Sequence, residues 1–387
     1  MPVRATKRGA ERIPLQRDCD VLVCGASFAG LAVARELACS GARVLVVDRY
    51  EIGERQTSAC GIPTDWLHAL DLQASLRQTF DELVVHTRFG RTRRWRLPWT
   101  FSTFDYRELC ALLWGQSDRS QTSFETATVT GREGQVVQTD RGELTAPYVV
   151  DALGWRRVLS NRSTIQPPNA RLSRGLEVHP GGRGEELELW IDPKYARAGY
   201  GWSFPAHDEL RVGVGSFWPS RHVKEPTVRL AGDLGLAPEG YQGNWIPHQL
   251  RPAVEDGIYF VGDSAGHCLP LTAEGIRTAL YFGLACGREL RSALAGEATP
   301  EQALARYGAF SDAHERKFRW LLNTQRAVGQ LTPTPAITAM SKAMTNERFC
   351  AWAFNNYLEI APPRFAGGDT ARGTTVKPGR ALATSAA

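Results

Sequence analysis

No run of about 18 uninterrupted apolar residues occurs in this chain of 387, so no membrane-spanning helix is expected. The first residues, MPVRATKRGAERIPLQRD, are charged and contain no apolar stretch of signal-peptide length. They read as a polar tail, not a targeting leader. The eight cysteines include no C-x-x-C pair and join no Cys/His cluster, which argues against a disulfide framework and against a metal site. Free thiols in a reducing cytosol are the expectation. No basic run is interleaved with aromatics. A net charge of +5, from 46 Lys+Arg against 41 Asp+Glu, is too weak and too spread to indicate a nucleic-acid partner. Lysine is scarce, with six in the chain, and the dominance of arginine is expected of a GC-rich bacterial genome. Heptad, collagen and solenoid periods are all missing.

What remains is a chain that is 43% hydrophobic, enough to bury a sizeable core, and long enough for two or three domains at about 150 residues each. Residues 21–24 read as a short buried strand. The turn Gly25-Ala26-Ser27-Phe28-Ala29-Gly30 follows, then a helix over 31–40 with Gly41 as its C-cap, then a second strand over 43–47 ending at Asp48. Residues 62–100 mix short helices and strands. In them Arg91, Arg93, Arg94 and Arg96 read either as a solvated strand edge or as a site for phosphate or acidic lipid. A helix is expected over 106–114 and a hairpin over 126–130 and 134–139. Tyr148-Val149-Val150 reads as a buried strand leading to Asp151. Residues 170–250 are β-rich, and Gly213 and Gly215 inside one of those strands suggest close packing or a bulge. The strand 258–261 precedes Gly262-Asp263 and a helix over 275–295, and 300–360 read as helices.

Two glycine-bearing segments carry the chemistry. In a dinucleotide turn the first residue must bend sharply, the second must be small, and the third packs helix on strand; here these are Gly25, Ser27 and Gly30. The following helix presents its N-terminus to pyrophosphate. Asp48, about 20 residues on, suits a ribose diol, and Arg49 is placed to cover an adenine or to lie as a surface charge. The second segment is Gly262-Asp263, followed by Pro270-Leu271-Thr272-Ala273-Glu274-Gly275-Ile276. The Asp can accept from ribityl or bridging hydroxyls, and a helix opening near Gly275 points its positive end at whatever lies ahead of it, which suits the negative charge of a reduced flavin. No second glycine fingerprint exists for a nicotinamide nucleotide. Electrons are therefore expected from transiently bound NAD(P)H or from another carrier.

With these residues in place, residues 18–300 resemble the FAD-dependent geranylgeranyl reductase family, within the flavoprotein hydroxylase superfamily. Cys60-Gly61 and Tyr200-Gly201-Trp202-Ser203-Phe204-Pro205, which is similar to that family's Y-x-W-x-F-P motif, are further anchors. So are Asp151-Ala152-Leu153-Gly154 with Arg157, and Arg107 after Tyr106. The resemblance implies an α/β fold: a Rossmann-type FAD-binding domain with an inserted β-sheet substrate domain and a helical C-terminal region. The implied segments are 18–65, 100–165 and 250–300 for FAD, 66–99 with 166–249 for substrate, and 301–365 as helices, with flexible tails at 1–17 and 366–387. It implies an FAD site of Gly25, Ser27, Phe28, Ala29, Gly30, Asp48, Arg49, Arg107, Val129, Asp151, Gly154, Gly262, Asp263, Thr272, Gly275 and Ile276. Ala273, Ala206 and Asp48 stand where the family usually has Gly, Lys and Glu, which leaves the substrate open.

Cys60 is implied to act near the flavin, although a thiol is a weak acid and also serves as a small buried hydrophobe. His267 reads either as an acid or base beside the flavin or as a loop histidine. Tyr200, Trp202 and Phe204 alternate and so share a strand face, which lines either an apolar tunnel or ordinary sheet core. The expected activity is reduction of an alkene in a prenyl or similarly apolar substrate. The alternatives are a monooxygenase or halogenase acting on an aromatic natural product, and a non-redox flavin-dependent cyclase or flavin-binding partner. The halogenase W-x-W-x-I-P motif and its early lysine are missing. Apolar residues across 331–360 suggest either peripheral membrane contact or packing onto the protein. The sequence leaves the oligomeric state undetermined.

Overall fold

Continuous apolar runs belong in the middle of parallel sheets, where both faces are covered. Val21–Cys24 (β1) is such a run, buried at every position, and Val44–Asp48 (β2) lies beside it in parallel. The computed structural model describes residues 14–15, 18–56, 58–88, 91–161, 172–330 and 335–367. In it β1 and β2 belong to a six-stranded sheet with Thr122–Thr126 (β6), Tyr148–Asp151 (β10), Val254–Glu255 (β16) and Ile258–Phe260 (β17). The order is β16-β17-β10-β1-β2-β6, parallel except for the β16 edge. Phe28–Glu36 (α1) crosses between β1 and β2, with eight of its nine residues buried, and packs on the long helix Ile276–Leu294 (α5).

The second sheet has eight strands: Gly61–Pro63 (β3), Leu76–Thr87 (β4), Arg91–Phe104 (β5), Leu172–Val178 (β11), Leu187–Ile191 (β12), Gly199–Ala206 (β13), Glu209–Ser216 (β14) and Gln242–Pro247 (β15). Their order is β15-β11-β14-β13-β12-β4-β5-β3. Val129–Glu133 (β7), Val136–Thr139 (β8) and Gly142–Leu144 (β9) make a small third sheet. Thr64–Ala69 (α2), Tyr106–Gly115 (α3) and Lys224–Asp233 (α4) fill the connections. Pro300–Asp312 (α6) starts on a capping box between Thr299 and Gln302. Glu315–Gln330 (α7), Pro335–Ala343 (α8) and Glu347–Leu358 (α9) follow it.

The α/β class and the C-terminal helices are as expected; several boundaries differ. β5 runs unbroken from Arg91 through Phe104, and β3 joins the eight-stranded sheet, so the division at 65/66 and 99/100 cuts through one sheet. α9 packs on β5, which is one of the two readings of the apolar residues across 331–360. α1 ends at Glu36, with Leu37 as its C-cap, so Gly41 caps no helix. Of the arginine cluster, Arg94 pairs with Glu82 and Glu186 on the sheet's solvent side. The expected tails lie mostly outside the described residues, but Leu15 is buried and donates its N–H to the Arg141 carbonyl. Ala366 is also buried, in the short final helix Pro363–Gly367.

Candidate active site

At the C-terminal end of β1 the chain turns at Gly25 with φ of 115°. A Cβ on Gly25 would lie 2.3 Å from the Ala152 carbonyl oxygen, and one on Gly30 would lie 1.9 Å from the Gly25 carbonyl oxygen. Only glycine lets α1 sit this close to the strand. Its first turn then faces a cleft of about 1770 Å³ through Ser27, Phe28 and Ala29. That turn has no acidic residue and no side-chain cap on its N–H groups. The Ser27 hydroxyl is instead 3.1 Å from the Tyr106 hydroxyl. Orphan N–H groups at a helix start are an anion site. Asp48 lies beside them. Its carboxylate accepts from the Ala26 N–H at 2.8 Å and the Tyr50 N–H at 3.0 Å, and burial pushes its pKa up. Arg49 and Val129 line the same end of the cleft.

The second segment arrives from β17. Asp151, fully buried at the end of β10, accepts from Ser264 Oγ at 2.6 Å, Leu153 N–H at 2.9 Å and Leu159 N–H at 2.8 Å. It therefore ties the 262–265 turn to the 152–154 turn and is not itself in the cleft wall. Gly154, Gly262, Asp263, Thr272, Gly275 and Ile276 are in that wall. Among the described residues, no protein donor reaches the Asp263 carboxylate. Burial raises its pKa to about 6 against the pull of Arg251. A half-buried acceptor without a protein donor is costly, and ligand hydroxyls would satisfy it. The free N–H groups of α1, Asp48, Asp263 and the N-terminus of α5 together fit the pyrophosphate, ribose, ribityl chain and ring of FAD.

Besides Asp151, three further expected side chains do not reach the cleft. Arg107 is exposed on α3, and Tyr106, which sequence reasoning passed over, lines the wall instead. The Cys60 thiol is fully buried, turned to the Ser58 carbonyl at 3.2 Å, and pushed well above its usual pKa by burial. Its neighbours Ala59 and Gly61 line the wall; the thiol packs behind them. His267 is fully buried between α5 and α6, with Nε2 3.0 Å from Ser311 Oγ and its ring stacked on Phe282 at 3.7 Å. Burial depresses its pKa well below the ordinary value, so it serves as a neutral packing residue.

The far end of the cleft is apolar. Tyr200, Trp202 and Phe204 all point into it from one face of β13. Leu97, Trp99 and Phe101 of β5 face them, and Phe354 of α9 packs on Trp99 with ring centroids 5.7 Å apart. α9 is fastened over this end by contacts that no local pattern signals. The Tyr357 hydroxyl donates to Glu274 and is 2.6 Å from Thr272 Oγ1, and the Tyr200 hydroxyl donates to the Thr272 carbonyl. The buried Arg277 donates to Glu274 at 2.6 Å and to the carbonyls of Tyr357, Leu358 and Ala361. Glu177, on β11, was also not foreseen.

Comparison with known proteins supports this assignment. The FAD binding domain family matches residues 18–95. Digeranylgeranylglycerophospholipid reductase 3 of Methanosphaera stadtmanae is 25% identical over 341 residues, 78% of this chain and 85% of that protein. Aklavinone 12-hydroxylase of Streptomyces peucetius is 24% identical over 362 residues, 76% of this chain and 71% of that protein. A crystal structure of a geranylgeranyl bacteriochlorophyll reductase-like protein from Thermoplasma acidophilum shares the fold. Its TM-score is 0.77 at 17% identity, covering 90% of this chain and 97% of that one. The nucleotide end built by Gly25, Asp48 and Asp263 thus coincides with a match to an FAD binding domain, in a chain similar in sequence and fold to FAD-dependent oxidoreductases, geranylgeranyl reductase-like proteins among them.

Proposed function

We propose that the protein reduces carbon–carbon double bonds of a prenyl chain or a similarly apolar substrate. The observation that carries this reading is the continuity of the cleft. A single cavity of about 1770 Å³ joins the Asp48–Asp263 end to the aromatic wall of Tyr200, Trp202 and Phe204. Reduced FAD supplies the hydride when bound. The chain's own residues then have three tasks. The aromatic wall aligns an extended unsaturated chain, the α9 cover excludes water, and the turns at 152–154 and 262–265 hold the two ends in register. A relative that is a digeranylgeranylglycerophospholipid reductase supports a lipid-anchored substrate. So do Trp320, Met340 and Trp352, which stand at the cleft mouth 65%, 56% and 62% exposed, suited to rest against a lipid surface. No helix among the described residues is long and apolar enough to cross a membrane.

The test is product mass after dithionite-reduced, FAD-loaded protein meets geranylgeranyl diphosphate under nitrogen, with a parallel reaction in air. A gain of hydrogen in pairs is the expected result. Addition of oxygen in air alone would assign the oxygenase activity for which the aklavinone hydroxylase is the precedent. No product in either would overturn the substrate class. Flotation with liposomes tests the membrane contact, and protein that stays with the aqueous fraction would remove it.

A further inference from the structure

Burying a carboxylate costs free energy unless its lone pairs are met. Glu177 is 4% exposed, yet it lines the cleft in the middle of an apolar wall. One oxygen accepts from Trp202 Nε1 at 3.1 Å. The other accepts from Gln242 Nε2 and lies 3.0 Å from His179 Nε2. His179 Nδ1 is 3.1 Å from Glu209, which also holds Arg211 Nε at 3.0 Å. Arg211 in turn donates to the carbonyls of Ala59 and Phe104, each at 3.0 Å. Both nitrogens of His179 thus face carboxylates. Burial pulls its pKa down, but hydrogen bonds to Glu177 and Glu209 outweigh that and raise it to about 9, so the ring is an imidazolium at neutral pH.

Beneath Trp202 the sheet has no side chains. Trp202 lies opposite Gly213 in the β13–β14 register. A Cβ on Gly213 would come within 2.2 Å of the indole, and on Gly215 and Gly175 within 3.5 and 3.6 Å. The indole therefore lies flat on a floor of bare backbone. Nothing on that floor wedges it sideways; the bond from its one polar atom sets its rotation. That same bond occupies the N–H, so a ligand meets the ring's face and no free indole donor.

We propose that Glu177 is a positioning residue that locks the Trp202 indole flat on the Gly175–Gly213–Gly215 floor, making it a fixed, purely apolar wall for an extended unsaturated ligand. That the ligand is such a chain rests on the function proposed above; that Glu177 fixes Trp202 does not. Arg211 links this cluster to the Ala59 turn, so the wall is held relative to the nucleotide end.

The test uses FAD-loaded protein with ¹⁵N-labelled tryptophan. The Trp202 indole N–H signal is identified by its loss in Trp202→Phe. It should exchange slowly with solvent in the parent protein. In Glu177→Ala exchange should rise by about tenfold or more, the scale of a lost hydrogen bond to a charged group. Glu177→Gln, whose amide oxygen still accepts, should restore protection. If the alanine variant does not fold, Glu177→Asp reads the same bond, because the shorter acid withdraws from the indole. An indole signal that Glu177→Ala and Glu177→Asp both leave unchanged would overturn the proposal. The affinity for geranylgeraniol, read from flavin fluorescence, should fall about tenfold in Glu177→Ala and in Trp202→Phe, and no further in the double variant. Additive losses would overturn the coupling. Failure of the parent protein to bind geranylgeraniol would overturn the ligand class, while the exchange result would still decide the role of Glu177.

Discussion

Replacing Gly213 by alanine sets two opposed effects against each other. In a strand with space above it, the change would stabilise by roughly 0.5–1 kcal/mol, because alanine loses less backbone freedom than glycine on folding. Here the new methyl would stand 2.2 Å from Trp202 Cζ2 and 2.8 Å from Glu177 Cβ. The indole must lift, at a typical overpacking cost of about 1–3 kcal/mol. Lifting also breaks the 3.1 Å bond to Glu177. A lost hydrogen bond to a buried charged group adds about 1.5–3 kcal/mol. The net expectation is a destabilisation of about 2–5 kcal/mol, measured as the shift in urea unfolding of the FAD-loaded protein. Gly232→Ala is the matched control. It lies in α4 with nothing within 4 Å of an added Cβ, and should stabilise by up to about 1 kcal/mol. A Gly213→Ala protein as stable as the parent, with geranylgeraniol affinity unchanged, would refute the packing argument for the cleft wall.

Other consequences are equally direct. The His179 imidazolium has its pKa raised from 6.5 to about 9, so its contribution is fully present below pH 6.5 and is lost as pH rises through about 9. Urea unfolding between pH 6 and 10 should show that decline in the parent protein, and His179→Gln should flatten it; an identical decline in both would remove the assignment. Asp263→Ala should weaken FAD by about tenfold to a hundredfold while leaving the cofactor-free protein no less stable, since it removes a half-buried carboxylate that no donor among the described residues reaches. Unchanged flavin release would show that Asp263 does not hold the cofactor. Cys60→Ala should retain turnover, because the thiol faces the Ser58 carbonyl and not the cleft; loss of activity in a correctly folded, FAD-loaded variant would return Cys60 to the chemistry. Arg277→Met should destabilise by about 3–5 kcal/mol and loosen α9, by removing the ion-pair partner of Glu274, which keeps only the Tyr357 hydroxyl, and the donor to three backbone carbonyls. Denaturation no easier than in the parent would contradict it.

Local patterns determined much of this protein. The apolar runs at 21–24 and 44–47, the turn from Gly25 to Gly30 and the carboxylate of Asp48 specify a strand–turn–helix–strand unit, because each depends on backbone geometry within a few residues. The alternation of Tyr200, Trp202 and Phe204 likewise specified a shared face, since a strand's side-chain period is two. Tertiary structure alone decided which side chains reach the cleft. Cys60 and His267 stand next to lining residues in sequence, yet their own side chains turn into the core, a direction that depends on what packs behind them. Thr272 meets Tyr357 across 85 residues, and Glu177 meets Trp202 over a floor of three bare glycines from two strands. A buried charge is stable only where partners from distant segments converge on it, and one-dimensional spacing holds no record of that convergence.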